Sequence, residues 1–204
     1  MFASRFRLPS TLTSAVDGEL LAESLSLLAD ISPDVVAFHG TSGSWTGIRD
    51  DAELAERLAD RAGASRGTTA TQATLAALDE LKVSRIGVVF PGTDEIVAAI
   101  GAQFALRDIE VVSTATLPVN LTNPEIAELR RADIASLIES AFAPGVDAVV
   151  CVGTNLRSGY CVAELERKHG VVVIDSALAL AWHALRLSGR NEAVAGWGGL
   201  LGSH

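Results

Sequence analysis

Cysteine is nearly absent from this 204-residue chain, with only Cys151 and Cys161 present. Their spacing matches no zinc-site pattern. It leaves a disulfide open, although both read as reduced thiols. No apolar run approaches the roughly 18–20 residues that a membrane-spanning helix needs. The opening Met1-Phe2-Ala3-Ser4-Arg5-Phe6-Arg7 leads into no uninterrupted apolar segment or cleavage-type site, so no signal peptide is indicated. The expectation is a cytoplasmic protein away from membranes. Basic residues are scarce: 16 Lys and Arg stand against 25 Asp and Glu, for a formal net charge of −9. Without a clustered Lys/Arg stripe, nucleic acid is not an expected partner. Small anions remain admissible, because N–H groups at helix N-termini attract them whatever the global charge. No metal site and no cofactor motif is read.

What is present is a hydrophobic content of 49% with 20% charged residues, enough for one large or two small packed domains. The strongest pattern is a repeat. Asp34-Val35-Val36-Ala37-Phe38-His39-Gly40-Thr41-Ser42 is echoed by Asp147-Ala148-Val149-Val150-Cys151-Val152-Gly153-Thr154-Asn155, at one offset (147 − 34 and 153 − 40). Each copy reads as a buried parallel strand running into a loop of small hydroxyl and amide residues, where open α/β sheets bind ligands. Two facing loops would form one cleft between two related domains.

Around these copies, strands and helices alternate. Helices are expected over 15–29, 50–62, 69–82, 94–106, 131–142, 159–168 and 176–187. Strands are expected over 34–39, 86–90, 109–113, 147–152 and 171–174. Gly63 closes the second helix, and the Gly196-Trp197-Gly198-Gly199-Leu200-Leu201 tail packs back on the surface. This alternation predicts an α/β fold of two pseudo-symmetric, flavodoxin-like parallel-sheet domains. The first comprises residues 1–82 plus 176–204, the second 83–175. By the repeat offset, the first domain lacks its N-terminal strand and helix, and Met1–Arg7 corresponds to its second strand. An open first sheet leaves unpaired backbone groups and room for a second subunit.

His39-Gly40-Thr41-Ser42-Gly43-Ser44 and Gly153-Thr154-Asn155-Leu156-Arg157-Ser158, each after a buried strand, resemble the aspartate/glutamate racemase superfamily. The closer likeness is to its maleate cis-trans isomerase and arylmalonate decarboxylase branch. Arg85-Ile86-Gly87-Val88-Val89, the stretch from Glu164 to Val173 and the Gly196-Trp197-Gly198 ending extend the resemblance over essentially the whole chain. It implies two α/β domains holding a small carboxylate between them, with cofactor-independent chemistry. It also exposes a departure. Where such racemases end each strand with a cysteine, as acid and base on opposite faces of a carbanion, this chain has Gly40 and Gly153. Where the isomerase and decarboxylase carry a tyrosine, it has Gly92.

Candidate replacements are limited. Cys151 lies two positions before Gly153 on the same strand face, about 6.6 Å deeper; it reads first as a small core hydrophobe and second as a replacement thiol. Cys161 falls in the first turns of the next helix, a packed or a dipole-activated thiol. His39 abuts Gly40 and is the candidate base, although strand alternation turns it from Phe38 and from the cleft. His183 reads as structural, and His169 as a helix-end cation. Carboxylate binding is assigned to Gly40, Thr41, Ser42, Thr93, Gly153, Thr154 and Asn155, whose hydroxyls, amides and close backbone suit an anion. The competing reading is ordinary helix capping. Arg157 pairs with an anion or stays solvated. The function follows as isomerase-, racemase- or decarboxylase-like, or as non-catalytic carboxylate binding by a degenerate member.

Overall fold

The computed structural model describes residues 1–7, 16 and 19–202. In chain order its elements are α1 (Ala22–Ala29), β1 (Val35–Phe38), α2 (Gly43–Thr46), α3 (Ile48–Ala62), β2 (Arg66–Thr69), α4 (Ala70–Leu81), β3 (Arg85–Phe90) and α5 (Asp94–Ala105). There follow β4 (Glu110–Thr116), α6 (Asn123–Ala127), α7 (Arg131–Glu139), β5 (Ala148–Cys151), α8 (Gly159–His169), β6 (Val172–Asp175), α9 (Ser176–Leu187) and α10 (Gly199–Gly202). The fold is α/β with parallel sheets. One sheet pairs β1 with β2, and the other runs β4-β3-β5-β6, all strands parallel.

Alternation along the strands distributes the core over two faces of the larger sheet. Ile86, Val88, Phe90, Ala148, Val150 and Val152 join the cluster under α4, α5 and α9. Val89, Val149 and Cys151 point the other way, onto Ile134 and Ile138 of α7 and Val162 and Leu165 of α8. Ile86, Val88, Val89 and Val150 are fully enclosed, each such side chain contributing about 1.5–3 kcal/mol of burial. A third cluster packs Leu54, Leu58 and Ala62 of α3 on Val36 and Phe38 of β1. α9 lies on α4 and also touches β1, β2 and β6, so the chain's last long helix ties the two sheets together. α3 and α8 end on Gly63 and Gly170, both left-handed at φ 62° and 67°, a conformation that costs glycine little.

The structure departs from the sequence expectations at several points. β2 went unforeseen because Arg66-Gly67-Thr68-Thr69 carries no apolar pattern. It is nonetheless a strand beside β1, its Thr68 and Thr69 fully buried. Gly67 is required there, since a side chain would run into the Ala55 carbonyl of α3. Met1–Arg7 forms no strand; Phe6 instead packs on Phe38, ring centroids 5.6 Å apart. α1 begins at Ala22, and part of the longer helix expected over 15–29 lies outside the described residues. β4 runs on to Thr116, and α2 and α6 fill stretches read as loops. The tail does return, as expected, with Leu200 and Leu201 buried and Val194 N–H donating to the Leu201 carbonyl at 2.7 Å.

Candidate active site

Because the strands of each sheet are parallel, the loops leaving β1, β3 and β5 project from carboxyl ends, the usual ligand-binding edge of such sheets. The two repeat loops meet. Thr154 Oγ1 donates to the His39 carbonyl at 3.4 Å, joining the loop after β5 to the loop after β1. Trp45 of α2 packs on Phe90 at the end of β3, centroids 5.4 Å apart, and Ile48 N–H donates to Gln103 Oε1 of α5 at 3.1 Å.

Thr41 is 7% exposed, and its carbonyl receives the Ser44 N–H. Ser42 precedes α2 without a side-chain cap bond. Among the described residues, the N–H groups of Ser42, Gly43, Thr154 and Asn155 have no acceptor. Thr93 caps α5, its Oγ1 receiving the Ile96 N–H at 3.4 Å. Asn155 is turned toward the neighbouring loop, donating from Nδ2 to Asn123 Oδ1 at 2.8 Å. Gly40 sits against the Phe38 ring: an added Cβ would lie 2.5 Å from its Cε1. Gly92 repeats the arrangement with Phe90. Gly153 differs, with φ at 128° and space beside it, Pro91 Cδ being 3.4 Å from an added Cβ.

His39 is exposed beside Gly40. Cys151 is fully enclosed in the core between β5, α7 and α8, and burial pushes its thiol far above the ordinary range. Cys161 is buried too, its Sγ 3.7 Å from the Arg131 carbonyl, and burial again raises it. Both thiols are free of disulfide. Arg157 donates to the Leu129 carbonyl at 2.8 Å. His183 meets Thr68 Oγ1 at 2.9 Å, and His169 stacks on Phe142 at 4.1 Å. Among the described residues, no group of three or more His, Cys, Asp and Glu is placed to hold a metal ion, and no helix is long and apolar enough to cross a membrane.

Sequence reasoning missed two buried carboxyls beneath these loops. Asp51, in the first turn of α3, is 5% exposed, accepts from Thr69 Oγ1, and accepts from Gln72 Nε2 at 3.1 Å. Burial raises it to about 6 against the lowering pull of Thr69 and Gln72. Its carboxyl lies against Gly43, where no Cβ would fit. Asp175 ends β6 at 3% exposure, accepts from Ser158 Oγ, and receives the Leu178 N–H at 2.8 Å as the cap of α9. Burial raises it as well, opposed by Ser158 and by the N–H groups of Leu178, Ala177 and Gly159. The signal for Asp175 was legible: an apolar strand ending in Asp directly before a helix is an N-cap pattern. Asp51 gave none, since an acidic residue in a first helical turn is ordinarily solvated.

Comparison with known proteins identifies the family and the fold. Residues 15–201 match the family model described as arylmalonate decarboxylase. An arylmalonate decarboxylase of Bordetella bronchiseptica is 30% identical over 174 residues, spanning 82% of this chain and 70% of that protein. A crystal structure of arylmalonate decarboxylase superposes with a TM-score of 0.80 at 27% identity, covering 90% of this chain and 81% of the other. The maleate isomerase of Pseudomonas putida S16, solved with maleate, reaches a TM-score of 0.88 at 23% identity over 98% of this chain and 82% of its own, a likeness of fold.

Proposed function

Since this chain belongs to the arylmalonate decarboxylase family, we propose that it takes a small carboxylic acid into the crevice between loops 40–44 and 153–155. There it carries out decarboxylase- or isomerase-type chemistry without a cofactor and without a cysteine pair. The observation that supports this is the Thr154–His39 contact, by which the two repeat loops touch. The unpaired N–H groups of Ser42, Gly43, Thr154 and Asn155 are the carboxylate donors in this reading, with the Thr41 and Ser42 hydroxyls beside them. Charge-assisted bonds of that kind contribute about 1.5–3 kcal/mol each. The side chains of Thr93 and Asn155 shape the loops in this reading, because they are engaged within the protein. The division into residues 1–82 with 176–204, and 83–175, belongs to the same reading, supported by α9 lying on α4, β1 and β2. So does a cytoplasmic location.

In this reading Gly40 and Gly153 stand at the strand ends where the resemblance puts a proton-moving thiol. With Cys151 and Cys161 buried and held neutral, protons come from His39 or from water. For a malonate-type acid the step is loss of CO2 to leave an enediolate, which the loop donors stabilise and which then takes a proton at carbon. A non-catalytic carboxylate-binding role is the second reading, and it is favoured by the same burial of both thiols. The deciding experiment incubates the protein with phenylmalonate and with maleate, following thermal shift and acid consumption by NMR in D2O. The first reading predicts a raised melting temperature and turnover, with one deuterium delivered to the α-carbon of the acid formed from phenylmalonate. A shift without consumption establishes the second reading. No shift with these acids refutes both.

A further inference from the structure

The two halves carry a second symmetry, at an offset of 106 (172 − 66 and 187 − 81): β2 with α4 matches β6 with α9 residue for residue. In each, the residue ending the strand caps the following helix at its third position. Thr69 Oγ1 receives the Gln72 N–H at 3.0 Å, and Asp175 Oδ1 receives the Leu178 N–H at 2.8 Å. In each, that same residue also bonds to a side chain at the start of the helix after the preceding strand: Thr69 to Asp51 of α3, Asp175 to Ser158 before α8. The glycine that closes that helix follows 12 residues later in both halves, Gly63 after Asp51 and Gly170 after Ser158. Asp51 and Ser158 are therefore equivalent positions, as are Thr69 and Asp175. The chemistry is reversed. The first half has carboxyl on the helix and hydroxyl on the strand, the second hydroxyl on the helix side and carboxyl on the strand.

Both pairs sit directly behind the crevice loops. The Asp51 carboxyl lies on Gly43, two residues past Thr41, and Gln72 Nε2 ties it to the Ile48 carbonyl at 3.0 Å. Ile48 in turn reaches Gln103 of the other half. Ser158 ends the second loop, and Asp175 Oδ1 stands 3.6 Å from an added Cβ at Gly159. We propose that the two carboxyl–hydroxyl pairs are matched struts that position the loops at 40–47 and 153–159. Each strut requires one carboxyl and one hydroxyl, but not a fixed choice of which end carries which. All four residues are positioning residues. The ligand arm of the test rests on the carboxylate reading above, while the stability arm is independent of it.

The facing groups explain why an exchange is informative. Against Asp51 stand the neutral Thr69 and Gln72. On the elements packed against α3, the charged side chains are Glu23 of α1, Arg66 of β2, and Asp79 and Glu80 near the end of α4, with none on α2 or β1. Arg66 begins β2, three residues before Thr69 at its end, so a second carboxyl placed at Thr69 has no cation beside it, and two hydroxyls leave a bond weakened.

The experiment is a reciprocal exchange in the full chain. Asp51→Ser, Thr69→Asp and the double variant are compared by melting temperature and by the thermal shift that phenylmalonate or maleate induces. Ser158→Asp, Asp175→Ser and their double form a second, independent cycle should a single variant of the first fail to fold. The inference predicts that each single variant melts at least about 5 °C lower. It predicts that each double recovers more than half of that loss, and that the ligand-induced shift falls with the singles and returns with the doubles. Doubles that lose the sum of their singles overturn it, as does a ligand shift unaffected by singles that still fold. If the unaltered protein responds to neither acid, the carboxylate reading has failed, and recovery of melting temperature alone decides the struts.

Discussion

The two repeat loops leave equivalent strands yet are built by different means. β5 lies between β3 and β6, and the Val89 carbonyl still receives the Val152 N–H at 2.8 Å, so the chain stays in the sheet to the edge of Gly153. It then turns through a φ of 128°. β1 has β2 as its sole neighbour among the described residues, and His39, the counterpart of the buried Val152, is exposed. Here the Phe38 ring folds against Gly40. The second loop is thus shaped by its backbone and the first by side-chain packing. The difference teaches that a repeated sequence can keep its glycines for unlike reasons, conformational freedom in one copy and room for a ring in the other.

The largest expected effect is the pH dependence that Asp51 adds to the first loop. Asp51, at about 6 against an ordinary 3.8, keeps in the folded state a proton that the unfolded chain gives up. Its stabilising contribution is complete below pH 3.8 and is lost as pH rises through 6. By linkage, wild-type stability falls relative to Asp51→Asn by up to about 3 kcal/mol across that window. Denaturant titrations of both proteins at pH 4, 5, 6 and 7 read this out, and a constant difference contradicts it. Next in size are the glycines. Gly153→Ala costs about 1–3 kcal/mol from backbone strain, whereas Gly40→Ala costs a similar amount by crowding Phe38. Adding Phe38→Leu should relieve the second and leave the first untouched. The smallest effect is Thr154→Val, whose exposed 3.4 Å bond is worth less than about 1 kcal/mol. Its melting temperature should barely move, while its thermal shift with phenylmalonate should fall.

Much of the fold was legible because apolar periodicity and glycine stops are local signals. α9 spans the expected 176–187, and α4 and α5 lie within a residue of their expected ends. β2 was not legible, since Arg66-Gly67-Thr68-Thr69 becomes a strand only through β1 beside it and α3 across it. At the site, Thr41 and Thr154 could be read from the repeat, while Asp51 and Ser158 could not. Their partners Thr69 and Asp175 are 18 and 17 residues away in the chain.

By itself the sequence determined the strand-and-helix order, the repeated loops and the absence of a cysteine at Gly40 and Gly153, because these depend on residue identity and short-range pattern. Only the tertiary structure decided that Cys151 faces the core beneath α7 and α8, that Thr93 spends its side chain capping α5 and Asn155 on the neighbouring Asn123, and that two buried carboxyls lie against the repeat loops. Burial and hydrogen bonding are properties of neighbours brought together in space. They set whether a thiol or a carboxyl is charged, which its position along the chain does not.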